Sequence, residues 1–192
     1  MTARAPEPNP RLIKLVSHLN PGEALELGCG NGGDAIWLAE NQWTVTALDI
    51  ATTATERLTH LADETRLQDR ITATVWDLNH GLPQGEFDLI NAHYLHARSH
   101  LERTSVFRAA ANALRPGGHL LIVDHGSTAP WSWNQDPDQH YPTPQEVHAD
   151  IELDPSRWQV LRAEALQRIA TGPGGQRSEV TDHILMIRRT SS

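Results

Sequence analysis

Residues 25–39, LELGCGNGGDAIWLA, join an apolar run typical of a buried strand to a segment typical of a helix. Four glycines, at positions 28, 30, 32 and 33, stand within six residues at the junction. Glycine at the tip of a strand lets the backbone turn sharply and approach a ligand, and the following helix begins with N–H groups that lack a partner within the helix. The stretch therefore predicts a strand–loop–helix unit that binds a ligand at its glycine loop.

Strand and helix patterns alternate on both sides of this unit. A short helix is predicted at 11–19, strands at 24–27, 44–50, 71–78, 86–94 and 118–125, and longer helices at 33–41, 52–67 and 99–114. Strands that alternate with helices favour right-handed crossovers and a doubly wound, parallel α/β sheet. The last of these strands follows a predicted turn at 115–118, RPGG.

The C-terminal part of the chain breaks this alternation. Thr143 and Pro144 are typical of the N-cap and first position of a short helix, predicted over 143–151. Residues 157–169 and 179–189 then predict two strands joined by a glycine-rich turn, with no helix between them. Such a hairpin places an antiparallel strand in the otherwise parallel sheet.

Length and composition favour one domain. Prolines at 6, 8 and 10 predict a flexible lead-in over 1–10, ahead of a single domain over 11–192. The net charge of −8 disfavours nucleic acid and anionic membranes as partners, and no apolar run is long enough to cross a bilayer. One cysteine and the absence of a signal-peptide pattern favour a cytoplasmic protein. Monomer and homodimer are not distinguished.

The acidic residues around the glycine loop bear on the ligand. Residues 28–33 match G-x-G-x-x-G, and Asp49 lies about twenty residues further on, as a nicotinamide dinucleotide site requires. Glu26, however, would repel a pyrophosphate and suits an ammonium group. Asp77, at the end of the third strand, suits the exocyclic amine of adenine. The carboxylates therefore favour a cationic adenosine ligand, with a nicotinamide-dependent reductase as the alternative.

Five segments, taken in order, resemble the class I S-adenosylmethionine-dependent methyltransferases. They are ALELGCGNG, VTALDIA, VWDLN, FDLINAHYL and ALRPGGHLLIVD, and the likeness extends over residues 20–190. The resemblance implies a Rossmann-like sheet of seven strands in the order 3-2-1-4-5-7-6, mostly parallel with strand 7 antiparallel, and helices on both faces. The region from Glu26 to Gly30 is also similar to the small tellurite-resistance and thiopurine methyltransferases.

The resemblance implies S-adenosyl-L-methionine as cofactor, with S-adenosyl-L-homocysteine as product. At the methionine end, it places Glu26 near the ammonium and Gly28, Cys29 and Gly30 against the methionine chain. At the adenosine end, Asp49 meets the ribose, Ile50 lies against adenine, and Asp77 and Leu78 stand at the adenine amine. Beside the sulfur are Asn91, Ala92 and His93. Cys29 has no base near it in sequence, so we expect its backbone rather than its thiol to meet the cofactor.

The acceptor is expected beneath the loops that follow strands four and five. Tyr94, Trp131, Trp133 and Tyr141 are predicted to bind it, with the alternative that the two tryptophans only anchor their loop. His93 and His125 are candidate general bases, needed only if the acceptor arrives protonated. The spacing of His93, His96 and His100 raises a metal site, which we disfavour because no carboxylate cluster accompanies it.

The resemblance implies an enzyme of EC 2.1.1 type, which we expect to transfer a methyl group to a small molecule by direct displacement. Enzymes that methylate amino groups of DNA and proteins carry an Asn/Asp-Pro-Pro-Tyr signature, from which the strand-four residues NAHY depart. Methylation of a nucleic-acid base or a glutamine amide is therefore not supported. Because a fold does not fix a function, a non-catalytic protein that binds S-adenosylmethionine remains a second alternative beside the reductase.

Overall fold

The computed structural model describes residues 5–95 and 101–190. The helices are α1 Pro10–Val16, α2 Gly33–Glu40, α3 Thr52–Thr65, α4 Arg103–Asn112 and α5 Pro144–Ile151. The strands are β1 Glu23–Leu27, β2 Thr44–Asp49, β3 Ile71–Val75, β4 Phe87–His93, β5 Leu114–His125, β6 Trp158–Thr171 and β7 Arg177–Arg189. A 3-10 helix spans Leu78–His80.

One sheet of seven strands organises the protein, in the order β3-β2-β1-β4-β5-β7-β6. Strands β1 to β5 pair in parallel, and β7 runs antiparallel to both β5 and β6. Residues of α1, α2 and α3 pack in a core cluster on one face, and residues of α4 and α5 pack in another on the opposite face. The predicted order, the antiparallel β7 and the helices on both faces are confirmed.

Several predicted boundaries differ from the structure; α1, for example, ends at Val16 rather than at residue 19. Strand β3 ends at Val75, and Asp77 instead caps the 3-10 helix, where its carboxylate accepts the N–H of Asn79. The predicted turn at 115–118 lies within β5, next to an irregularity in its pairing with β4. Helix α4 begins only at Arg103, because Leu101 and Glu102 are not helical.

The capping prediction for the last helix is confirmed. The Thr143 hydroxyl accepts the backbone N–H of Glu146, whose carboxylate accepts the backbone N–H of Thr143 at 2.7 Å. This reciprocal pair satisfies N–H groups that a helix start otherwise leaves without a partner. It fixes the point where the long loop after β5 re-enters regular structure.

A buried carboxylate ties four elements together near the end of β4. Asp182 of β7 is fully buried and accepts bonds from the Tyr94 hydroxyl at 2.9 Å, Arg168 Nε of β6 at 2.9 Å and Arg11 Nε of α1 at 3.1 Å. Burial, and then Asp182, raises the pKa of Tyr94 to about 12, so its phenol remains a donor. The cluster therefore fixes Tyr94, directly after β4, against α1 and the hairpin.

Replacing Asp182 should strongly destabilise the fold. Asp182→Ala leaves two guanidinium groups and a phenol without their shared acceptor, and we expect a loss of about 3 kcal/mol in the free energy of unfolding. Urea denaturation measures it. Glu179→Ala, an exposed position on the same strand, is the control and should change stability by less than about 0.5 kcal/mol. Equal stabilities of the two variants would contradict this role of Asp182.

Candidate active site

The glycine loop turns directly over the end of β2. Gly28 has a φ of 80°, in the left-handed region that favours glycine, and its N–H donates to the Leu48 carbonyl at 2.8 Å. The N–H of Cys29 donates to the same carbonyl at 2.9 Å. A Cβ at Gly30 would meet no atom within 4 Å, so this part of the loop faces open space.

Asp49 is held at the end of β2 by two backbone donors. One carboxylate oxygen accepts the N–H of Gly30 and the other that of Ala51, both at 2.9 Å. The neighbouring Ile50 is 58% exposed, which is unusual for a large apolar side chain at a strand end. The carboxylate and this apolar surface thus stand beside the glycine loop.

A first cavity, of about 260 Å³, opens at this edge of the sheet. Seven of the eleven residues predicted around the cofactor line it, namely Gly28, Gly30, Asp49, Ile50, Asp77, Leu78 and His93. Trp76, Asn79, Leu95 and Leu101 also line it, as does Tyr94, directly after β4. The cavity thus combines carboxylates with apolar walls.

A second cavity, of about 550 Å³, also borders the glycine loop. Its lining includes Glu26, Cys29, Asp34, Arg11 and Arg168, together with the N-terminal segment from Glu7 to Pro10. The two cavities share Gly28, Gly30, His93 and Tyr94. They therefore meet beside the glycine loop, at the end of β4.

Glu26 is a buried acid in the second cavity. It is 3% exposed, and within residues 5–95 and 101–190 its Oε2 has no hydrogen-bond partner. Burial, and then the nearby carboxylates of Asp34 and Asp49, raise the pKa of Glu26 well above its usual value. A buried polar atom without a partner is costly, so this oxygen fits a donor, such as an ammonium group, that a ligand would bring.

The two candidate bases occupy different places. His93 lines both cavities, and its Nδ1 lies 2.5 Å from the Asp34 carboxylate. His125 stacks on the Tyr94 ring, with centroids 4.4 Å apart, and lines a third cavity of about 370 Å³. Only His93 therefore stands where the first two cavities meet.

The residues predicted to bind the acceptor do not line a single cavity. Tyr94 lines the first two cavities, whereas Trp131 and Tyr141 line the third. Trp133 is 95% exposed and lines none of the three, so the structure does not bring it to the site.

Asn91 and Ala92 also stay away from these cavities, because the central strand β4 is covered on both faces and both residues are fully buried. Asn91 is aligned with Glu26 across the β1–β4 pairing. Within the described ranges its side-chain amide, like Glu26 Oε2, has no hydrogen-bond partner. Neither residue thus forms a cavity wall, and Asn91 contributes a buried polar group next to Glu26.

The structure adds three charged residues that the sequence predictions did not assign to the site. Asp34 directly follows the glycines, and its position at the start of a helix was a usable signal. Arg11 and Arg168 reach the second cavity from elements at opposite ends of the chain, and no local pattern indicates that contact.

A thiol nucleophile and a metal ion are two other chemistries that bear on this site. Burial, and then Glu26 and Asp49, raises the pKa of Cys29 to about 12, which agrees with the prediction that its thiol is not a nucleophile. Of the proposed metal ligands, His96 and His100 lie outside the described residues. Over 5–95 and 101–190, no group of three His, Cys, Asp or Glu side chains could hold a metal ion.

In the same ranges no helix has the length and apolarity to span a membrane.

Comparison with known proteins gives a family match over most of the chain. A model of a family described as "Methyltransferase domain" matches residues 1–172. The 27-O-demethylrifamycin SV methyltransferase of Amycolatopsis mediterranei is 36% identical over 103 residues, 52% of this chain and 37% of that protein. Ribosomal RNA small subunit methyltransferase C of Alcanivorax borkumensis is 29% identical over 147 residues, 74% of this chain and 42% of that protein. The chain thus spans less than half the length of either relative.

Solved structures share the fold. A structure described as "Conversion of a Disulfide Bond into a Thioacetal Group during Echinomycin Biosynthesis" matches with a TM-score of 0.73 at 23% identity, over 96% of this chain and 82% of that chain. TehB from Haemophilus influenzae matches with a TM-score of 0.66 at 17% identity, over 95% of this chain and 62% of that chain. At these identities the likeness shows the fold alone.

The raised pKa of Glu26 gives a pH-dependent prediction. Above pH 4.5, the usual pKa of this side chain, Glu26 keeps its proton in the native state and releases it in the unfolded state. The free energy of unfolding therefore falls as the pH rises. Glu26→Gln does not titrate. We therefore expect the variant to match the wild type in urea denaturation near pH 4 and to be more stable at pH 8. Glu56→Gln, exposed on α3, is the control; a Glu26→Gln variant no more stable than wild type at pH 8 would contradict the burial cost.

Proposed function

The chain belongs to this methyltransferase-domain family, and we propose that it transfers a methyl group from S-adenosylmethionine to a small-molecule acceptor. One observation carries the proposal: Glu26 and Asp49 stand on the neighbouring strands β1 and β2, Asp77 follows β3 by two residues, and all three line cavities that meet beside the glycine loop. Three carboxylates around one site attract a cation and repel a pyrophosphate. They therefore favour this cofactor over a nicotinamide dinucleotide.

The residues of the first cavity suit the adenosine part of the cofactor. Asp49, fixed by two backbone N–H groups, would accept hydrogen bonds from the ribose hydroxyls. Ile50 and Leu78 would pack against adenine, with Asp77 at its amine. The unpartnered oxygen of Glu26 would take the ammonium in the second cavity. When bound, S-adenosylmethionine supplies a methyl group made electrophilic by a positively charged sulfur.

The second cavity is the proposed place of the acceptor. Its volume of about 550 Å³ lies within the range of small-molecule sites, and it meets the first cavity at His93. We assign the role of general base to His93 rather than His125, because only His93 lines both cavities. The net charge of −8 argues against a polynucleotide acceptor, although one relative is named for ribosomal RNA.

Ligand binding tests the cofactor. We expect S-adenosylhomocysteine, but not NADH, to raise the melting temperature of the protein, and titration calorimetry to give its Kd. Asp49→Asn should weaken this binding about 10–100-fold, since a hydrogen bond to a charged group contributes about 1.5–3 kcal/mol. Asp138→Asn, on an exposed loop position, should leave the Kd unchanged. Stabilisation by NADH alone would instead support the reductase alternative.

Catalysis needs a separate test. Incubation with methyl-labelled S-adenosylmethionine and a fractionated metabolite extract should label a low-molecular-mass product, with purified ribosomal RNA as the competing acceptor. Label in the RNA alone would contradict a small-molecule acceptor. Binding of S-adenosylhomocysteine without label transfer to either pool would favour the non-catalytic alternative.

A further inference from the structure

Asp34 uses both of its carboxylate oxygens to connect two parts of the site. Oδ2 lies 2.5 Å from His93 Nδ1, and Oδ1 accepts the backbone N–H of Asn9 at 2.6 Å. The Asp34 and His93 side chains are 13% and 6% exposed. On the basis of the proposed function, we infer that Asp34 is a positioning residue that holds His93 as the base for an acceptor hydroxyl, so that the enzyme methylates oxygen.

The bond to Asp34 selects one tautomer of the His93 ring. An ionised carboxylate only accepts hydrogen bonds, so the proton of the neutral imidazole lies on Nδ1 and Nε2 has a free lone pair. Nε2 is buried and lacks a hydrogen-bond partner within the described part of the chain. Because the His93 side chain lines both cavities, a ligand there is the partner that this buried lone pair lacks.

The N-terminal segment holds Asp34 from its other side. The backbone of this segment passes so close to the start of α2 that a Cβ at Gly33 would lie 2.7 Å from the Glu7 carbonyl oxygen. Glu7, Pro8 and Asn9 also form part of the wall of the second cavity. The carboxylate is thus fixed between the Asn9 N–H and the His93 ring, and its orientation depends on both.

A fixed base indicates which atom accepts the methyl group. A thiol with a pKa near 8.5 is partly ionised at neutral pH, and a neutral amine attacks through its lone pair, whereas a hydroxyl with a pKa near 10 or above must lose its proton. In the transfer, the oxygen–carbon bond forms, the carbon–sulfur bond breaks with its electron pair left on sulfur, and the hydroxyl proton passes to His93 Nε2. The pairing with Asp34 stabilises the imidazolium that results.

Asp34→Asn tests this arrangement sharply. The amide oxygen keeps the Asn9 N–H, so the amide NH₂ faces His93 Nδ1 and favours the tautomer with its proton on Nε2. We expect ¹⁵N NMR of the ring, assigned with His93→Gln, to show Nδ1–H in the wild type and Nε2–H in Asp34→Asn. With the acceptor found by label transfer, kcat should fall about 10²–10⁴-fold while KM and the Kd of S-adenosylhomocysteine change less than threefold.

Asp63→Asn, exposed on α3, is the matched control and should alter none of these values. An Nε2–H tautomer in the wild type, an unchanged kcat in Asp34→Asn, or a product methylated on nitrogen, sulfur or carbon would each overturn the inference. The wild-type NMR measurement needs neither the variant nor the acceptor. Failure of S-adenosylhomocysteine to bind any of the proteins would contradict the proposed function instead, and the two failures are thus distinguishable.

Discussion

The parallel register of β1 between β2 and β4 is the constraint on which the site depends. It aligns Glu26 with Ala47 on one side and Asn91 on the other, and it ends the three strands at one edge of the sheet. The glycine loop, Asp49 and His93 meet there for that reason. A shift of β1 by one residue would turn Glu26 to the opposite face and separate it from the second cavity.

Two buried acids near this edge differ in how their charges are matched. Glu26 is buried near two other carboxylates, a placement that costs folding energy and raises its pKa. The nearby Asp182, by contrast, is matched by Arg11, Arg168 and the Tyr94 hydroxyl. One buried acid thus supports the fold while the other is left with an oxygen that a cationic ligand can use, and a strained or costly group of this kind is typical of functional sites.

Sequence patterns predicted the sheet order, the antiparallel β7 and the capping of α5, because each depends on local periodicity or on an ordered set of motifs. They also selected most of the residues that line the first cavity, though not Trp76, Asn79, Leu95 or Leu101, since strand ends of a parallel sheet meet at one edge. Contacts between distant segments were not predictable: His93 and Asp34 are 59 positions apart, and Arg11 and Asp182 are 171 apart. The prediction that Trp133 binds the acceptor was not supported by its position, because an aromatic residue in a loop after a strand need not face the site.

A crystal structure with bound S-adenosylhomocysteine is the measurement that tests the central claim most directly. We expect the ribose hydroxyls within hydrogen-bond distance of Asp49, the ammonium at Glu26, adenine between Ile50 and Leu78, and the sulfur facing the cavity that His93 lines. A ligand bound away from Glu26 and Asp49, or with its sulfur turned from His93, would contradict the proposed methyl-transfer site.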